Sequence, residues 1–256
     1  MSISKNKIKM IRSLADKKSR DEQGLFVAEG EKIISEMLRS NYPIDALLAS
    51  EDWIKANETR LTQVREVFAA DEDIFKKVSN QSTPCEILAV VKKNKININF
   101  DSIHSQLSLV LDDIQDPGNL GTILRIADWF GIQHVICSEN TVDVYNPKVI
   151  QSSMGAFLRV KTIYSGLDSF FKQAAIPGFD VFGTFLDGKN IYTEKLNTTG
   201  IIVMGNESKG ISQKLTKYIN RKLLVPGYPP KQKGAESLSV SVATGIICAE
   251  FRRRMI

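Results

Sequence analysis

Asn119 and Arg125 stand six positions apart in the segment LDDIQDPGNLGTILRIADWFGI, residues 111–132, which offers an amide and a permanent cation to whatever lies beside them. Residues 107–111 form an apolar run of strand length, and Asp116-Pro117-Gly118 ends it in turn chemistry. Asn119 then stands where a helix N-cap is expected. Leu120, Ile123, Leu124 and Ala127 recur at helical spacing, so Arg125 lies off the core stripe. Gly121, four residues earlier, has no side chain, and the space beside Arg125 toward the loop is expected to be open to a ligand. The same residues also suit a capped surface helix with a solvated arginine.

A second polar turn follows an apolar strand in IIVMGNESKGIS, residues 201–212. Gly205 permits close backbone approach to a ligand, and Glu207 can accept hydrogen bonds or orient a cation. Ligands of open α/β sheets sit beyond the carboxyl ends of strands, where both turns fall. The turn is not a phosphate loop, because Ile211 rather than Lys follows Gly210, and no G-x-G-x-x-G opens a nucleotide fold. The third segment, LLVPGYPPKQKGAESLSVSVATGIICAE, residues 223–250, ends a strand at Val225-Pro226 and crosses a loop with two lysines. It enters an apolar helix through Ser237-Leu238-Ser239-Val240-Ser241. Small residues at Ser239, Ser241, Ala243, Thr244 and Gly245 let another backbone approach, at a site, in a dimer interface or in ordinary core packing.

The elements that must carry these loops alternate. Apolar runs at 25–28, 44–49, 64–69 and 87–91 read as strands, with helical patterns at 31–39 and 71–78 between them, giving a small α/β domain. The polar stretch 92–106 reads as a linker. Strands recur at 107–111, 135–137, 181–185, 201–204 and 223–225, with a last helix over about 237–253, and point to a parallel sheet. The expected division is residues 1–95 as one domain, 96–106 as linker and 107–256 as a second α/β domain.

With 43% apolar residues, 256 residues can fill two cores. No run approaches the roughly 18 apolar residues of a membrane helix, and MSISKNKIKMIRS lacks a signal peptide's apolar stretch, so the cytoplasm is the expected compartment. Cys85, Cys137 and Cys248 are scattered and are expected to be buried thiols. The isolated His104 and His134 give no support to histidine catalysis or a metal site. The net charge is +5, yet residues 1–20 alone carry seven cations against Asp16, +6, which leaves −1 for the rest. Such a basic segment suits a polyanion such as nucleic acid, with Lys7, Lys9, Arg12, Lys17, Lys18 and Arg20 as candidate contacts. Alternatively it is the solvated face of a helix that packs through Ile8, Ile11 and Leu14.

Taken together and in order, the three segments resemble the signature motifs of the SpoU (TrmH-like) family of RNA ribose 2′-O-methyltransferases. Asp116-Pro117-Gly118-Asn119 to Arg125 is similar to the first motif, Gly205-Asn206-Glu207 with Gly210 to the second, and Pro226 with Ser237-Leu238 and the small-residue helix to the third. The first 90 or so residues, with KIKMIRSLADKKSR and GLFVAEGEK, resemble that family's RNA-substrate-binding domain. The resemblance implies a small N-terminal α/β RNA-binding domain and a C-terminal α/β-knot methyltransferase domain, a parallel sheet tied in a trefoil. It further implies S-adenosylmethionine as cofactor, a homodimer with sites completed between subunits, and RNA, ribosomal rather than transfer, as substrate. By position Gly205, Val225 and Leu238 look like the main cofactor contacts, with Thr184 a weaker one. Arg125 matches the family's catalytic residue; Asn119 and Glu207 would orient it, and Ser237 would hydrogen-bond near the ribose. A guanidinium is effectively always protonated, so Arg125 is expected to bind the substrate phosphate and fix the hydroxyl rather than act as a base. Ser239 stands where the family usually has Asn, and the loop 227–236 looks long. A non-catalytic RNA-binding protein on the same scaffold, and a small-molecule methyltransferase, are the competing readings.

Overall fold

A computed structural model of the chain describes residues 3–228 and 237–254. In chain order the elements begin with α1 (Lys5–Ser13), α2 (Lys17–Gln23), β1 (Leu25–Glu29), α3 (Glu31–Arg39), β2 (Ile44–Ala49), α4 (Glu51–Ala56), β3 (Glu66–Ala69), α5 (Glu72–Val78) and β4 (Ile87–Lys92). There follow α6 (Phe100–Ser105), β5 (Leu107–Leu111), α7 (Pro117–Trp129), β6 (His134–Cys137), α8 (Pro147–Ser153), β7 (Lys161–Tyr164) and α9 (Leu167–Ala174). The chain continues through β8 (Val181–Asn190), β9 (Gly200–Met204), α10 (Gln213–Thr216), β10 (Arg221–Leu224) and α11 (Val240–Arg253). They form two compact units, Met1–Lys95 with Asp143–Leu158, and Ile96–Val142 with Arg159–Ile256.

The first unit is a four-stranded sheet in the order β1-β4-β2-β3, with β4 antiparallel to both neighbours and β2 parallel to β3. One side is filled by Ile11 of α1, Leu14 at its C-cap and Phe75 and Val78 of α5, packed with Val27, Leu48, Phe68 and Val90. Phe26, one residue before Val27, points to the opposite face, where its ring lies 4.5 Å from that of Tyr145 and 5.9 Å from that of Phe157. Residues 143–158, expected within the 107–256 domain, therefore pack in the first unit, with α8 against β1. Both faces of the sheet are covered, and β2 is buried at every position, Asp45 included.

The second unit has six parallel strands in the order β10-β8-β9-β5-β6-β7. β5, β6 and β9 are buried at every position, as the central strands of a sheet covered on both sides must be. Phe170 and Phe171 of α9 pack with Val110, Ile136, Val203 and Leu215 on one face. The stretch expected as a linker contributes to this core: Asn99 caps α6 by accepting from Ser102 N at 3.1 Å, and Ile103 is fully buried. Within that stretch residues 100–105 form the short helix α6, while 93–99 lie outside any helix or strand. The chain runs outward from β5 to β7, returns at β8 and places β9 beside β5, so the strand order reverses between β5 and β9. Crevices at such reversals hold ligands in open α/β sheets. Among the described residues no helix is long and apolar enough to cross a membrane.

Candidate active site

The loops after β5 and β9 meet at the reversal, and hydrogen bonds fix how. α7 is capped by Asp116, whose carboxylate accepts from Asn119 N at 2.7 Å, and Pro117 takes the first helical position. This corrects the expected cap at Asn119. Proline has no N–H to lose at the start of a helix, so the cap falls on the residue before it. A side chain at Gly118 would come within 2.9 Å of the Asp116 carboxylate, so glycine keeps the cap unobstructed.

Freed from capping, the Asn119 side chain reaches outward. Its amide nitrogen donates to Glu207 Oε1 at 2.8 Å, and its oxygen accepts from Ser239 Oγ at 3.1 Å and Ser241 Oγ at 2.8 Å. One side chain thus ties the turn after β9 and the entrance of α11 to the start of α7. Ser239, the departure from the family's Asn, keeps a hydrogen bond to this network.

The turn after β9 is built around Asn206. Its side-chain oxygen accepts from the backbone of Ser208 at 3.0 Å and Lys209 at 3.1 Å, and its nitrogen donates to Asp113 O at 2.8 Å. Its backbone pairs with Gly210 in both directions. A side chain at Gly205 would lie 2.3 Å from the Gly210 and Ile211 backbone, so the close approach expected there is to the protein's own chain. Asp112, directly after β5, is 5% exposed and accepts from Ser212 N at 2.7 Å. With Asp113, Asn206 and Lys209 it lines a cleft of about 420 Å³. Asp112 and Asp113 were not singled out from sequence, and Asn206 entered only as a member of the second motif; the available signal was a pair of carboxylates immediately after the buried strand β5.

Arg125 is exposed and has no hydrogen-bond or ion-pair partner among the described residues. Gly121 is buried, so it serves packing rather than an open space beside the guanidinium. Ser237 is exposed and likewise without a hydrogen bond among the described residues, so the structure does not join it to the Asn119 network. Outside the ladders, no backbone hydrogen bond among the described residues occupies the peptide groups of Gly205, Val225 or Leu238. Thr184 is not at a strand end, since β8 runs on to Asn190, and its hydroxyl lies 3.4 Å from Val203 O. Residues 229–236 of the long loop, with Lys231 and Lys233, fall outside the described residues.

The basic N-terminal segment divides in two. Lys9, Arg12, Lys17 and Lys18 are exposed. Arg20 is 2% exposed, contacts Asp143 Oδ2 through Nε at 2.9 Å and Nη2 at 2.7 Å, and donates to the carbonyls of Leu14 and Ala15. Lys7 is held by Glu66 at 3.1 Å and Asp45 at 3.9 Å. Both were expected as nucleic-acid contacts, but Arg20 is a buried structural cation and Lys7 is already neutralised. Burial pushes the Cys137 thiol up and the Cys248 thiol up to about 12, leaving neither a nucleophile, while Cys85 is only half-buried.

The chain matches the SpoU rRNA Methylase family model over residues 106–249 and the MRM3-like substrate binding domain model over residues 5–89. It is 30% identical over 251 residues, 96% of each chain, to the 23S rRNA (guanosine(2553)-2′-O)-methyltransferase RlmP of Bacillus subtilis. It is 27% identical over 197 residues, 74% of this chain and 77% of the relative, to the 23S rRNA (guanosine-2′-O-)-methyltransferase RlmB of Neisseria meningitidis. A TrmH-family protein from Porphyromonas gingivalis superposes with a TM-score of 0.88 at 38% identity, over 99% of this chain and 100% of that one. An AdoMet-bound rRNA methyltransferase from Sinorhizobium meliloti gives 0.87 at 26% identity, over 100% and 97%.

Proposed function

The chain belongs to the SpoU rRNA methylase family, and we propose that it transfers a methyl group from S-adenosylmethionine to a ribose 2′-hydroxyl of RNA, with ribosomal RNA as substrate. The observation that carries the proposal is the convergence of three separate segments on Asn119, beside the reversal of strand order. The same network weighs against a non-catalytic scaffold, because Ser239 retains a bond within it.

The peptide groups of Gly205, Val225 and Leu238 suit the cofactor's adenine, and the cofactor when bound supplies a methyl already activated on a sulfonium. What the chain must add is alignment of a poorly nucleophilic hydroxyl and an outlet for its proton. Arg125 is free to grip a substrate phosphate with its planar fork and so position the adjoining 2′-hydroxyl, while the proton leaves to that phosphate or to water. Asn119 and Glu207 hold the surrounding loops, and Ser237 is available to the ribose.

In this reading residues 1–95 recruit RNA, with exposed Lys9, Arg12, Lys17 and Lys18 as phosphate contacts. A second copy of the chain covers the α7/α11 pair, which leaves Trp129 85% and Val242 52% exposed. The C-terminal segment threads the family's trefoil knot. The cytoplasm is the proposed compartment.

Calorimetry with S-adenosylmethionine, paired with a map of ribose methylation across ribosomal and transfer RNA with and without the protein, tests the proposal. Binding and a new mark on ribosomal RNA are expected. A folded protein that binds no S-adenosylmethionine refutes the enzyme reading, and a mark confined to transfer RNA replaces the substrate.

A further inference from the structure

The first unit contains a cavity of about 610 Å³ that the methyl-transfer site does not use. Its lining includes the apolar, buried Val27 and Ile150. Its walls are rich in side-chain amides. Asn146 spends its oxygen on Lys148 N at 2.9 Å and keeps its NH₂ group. Gln81 uses only its oxygen, toward Cys85 Sγ at 3.5 Å. Gln151 is exposed, and its amide has no hydrogen-bond partner among the described residues.

The charges in the same cavity exclude the simpler ligands. Glu29 is 9% exposed and its two oxygens already accept from Ser79 Oγ at 2.5 Å and Asn80 N at 2.8 Å. A satisfied carboxylate does not call for a cation, and its charge opposes an anion that Lys148 alone would have to hold. What remains is a neutral ligand with an apolar face and an edge of alternating donors and acceptors. Ala15 also lines the cavity, and Lys17 and Lys18 follow it by two and three residues, which places exposed cations next to it along the chain. A nucleobase with its flanking phosphates has these properties.

We infer that this cavity receives an unstacked adenine of the RNA substrate, read through the side-chain amides of Gln81 and Gln151. Sequence-specific RNA recognition targets bases splayed out of a helix, and an amide can bond both polar groups of an adenine edge. The inference rests on the RNA-methyltransferase reading and adds a specificity site to it.

The test uses the whole chain and two labelled RNA hairpins of equal length, one fully paired and one with a single bulged adenosine, titrated by fluorescence anisotropy at several salt concentrations. The bulged hairpin is expected to bind about tenfold more tightly. Gln81→Ala with Gln151→Ala should erase that preference while leaving the paired hairpin's affinity, its salt slope and S-adenosylmethionine binding unchanged, because base contacts release no counterions. Equal affinity of the wild type for both hairpins, or a preference that survives in the double variant, overturns the subsite and leaves the RNA reading standing. Failure to bind either hairpin even at low salt overturns both.

Discussion

Asn119 and Glu207, 88 residues apart in sequence, share a 2.8 Å hydrogen bond that fastens the start of α7 to the turn after β9. A hydrogen bond to a charged group contributes about 1.5–3 kcal/mol, so Asn119→Ala is expected to lower kcat/KM by roughly ten- to a hundredfold. Asn119→Asp should be worse, since it sets a carboxylate against Glu207. Ser239→Ala should cost far less, because Ser241 donates to the same oxygen at 2.8 Å. Steady-state kinetics decide the matter: an Asn119→Ala enzyme with unchanged kcat/KM removes the network from the site.

In the proposed mechanism Arg125 serves the chemistry and not the fold. It is exposed and makes no hydrogen bond or ion pair among the described residues, so Arg125→Ala should keep stability within about 0.5 kcal/mol. Methylation should nevertheless be abolished, with S-adenosylmethionine affinity within a few fold of wild type. Arg125→Lys keeps the charge but not the fork and should recover only part of the rate. Wild-type turnover by the alanine variant would refute the assignment.

What could be read from the sequence follows from the range of the forces involved. β2 and β5 were legible because each is buried throughout and is apolar apart from a single polar residue, Asp45 in β2 and Ser108 in β5. β7 went unread because KTIY at a sheet edge has too little apolar character to stand out. The cap at Asp116 was local information, available from Pro117 and outweighed by the usual preference for Asn. Arg20 was beyond local reading: its partner Asp143 lies 123 residues away, and nothing near Arg20 distinguishes a buried cation from a phosphate contact. The site divides the same way. The motif residues were legible as a set, whereas the convergence on Asn119 and the buried Asp112 exist only once β5 and β9 are neighbours.

That division of the basic segment makes a quantitative prediction about RNA binding. Replacing Lys9, Arg12, Lys17 or Lys18 singly by Ala should weaken binding and reduce the slope of log affinity against log salt by up to about 1 for each phosphate no longer neutralised. Lys7→Ala should leave the slope unchanged, since Glu66 already holds that ammonium at 3.1 Å. Arg20→Ala should instead destabilise the protein by about 3–5 kcal/mol, because it strands Asp143. Salt-dependent titrations together with urea unfolding separate these outcomes, and a full salt slope when Lys9, Arg12, Lys17 and Lys18 are all replaced together returns the segment to a solvated helix face.

Acid stability should fall in two stages set by two buried groups. His134 is buried with Nδ1 3.2 Å from Gln106 Nε2, and burial, helped by Lys161, holds its imidazole below the ordinary 6.5. The unfolded chain therefore takes up this proton first as pH falls, so the stability His134 contributes is complete above about pH 6.5 and declines below it. Glu250 acts lower down. Hydrogen bonds from Arg253, and then Arg254, pull its carboxyl from 4.5 to about 2, so its contribution is present above 4.5 and is lost as pH falls toward 2. Urea midpoints measured from about pH 8 to about pH 3 should show both declines, with His134→Gln flattening the upper one and Glu250→Gln the lower. A His134→Gln profile that still falls like the wild type's as pH drops below about 6.5 would show that some other group carries the upper transition.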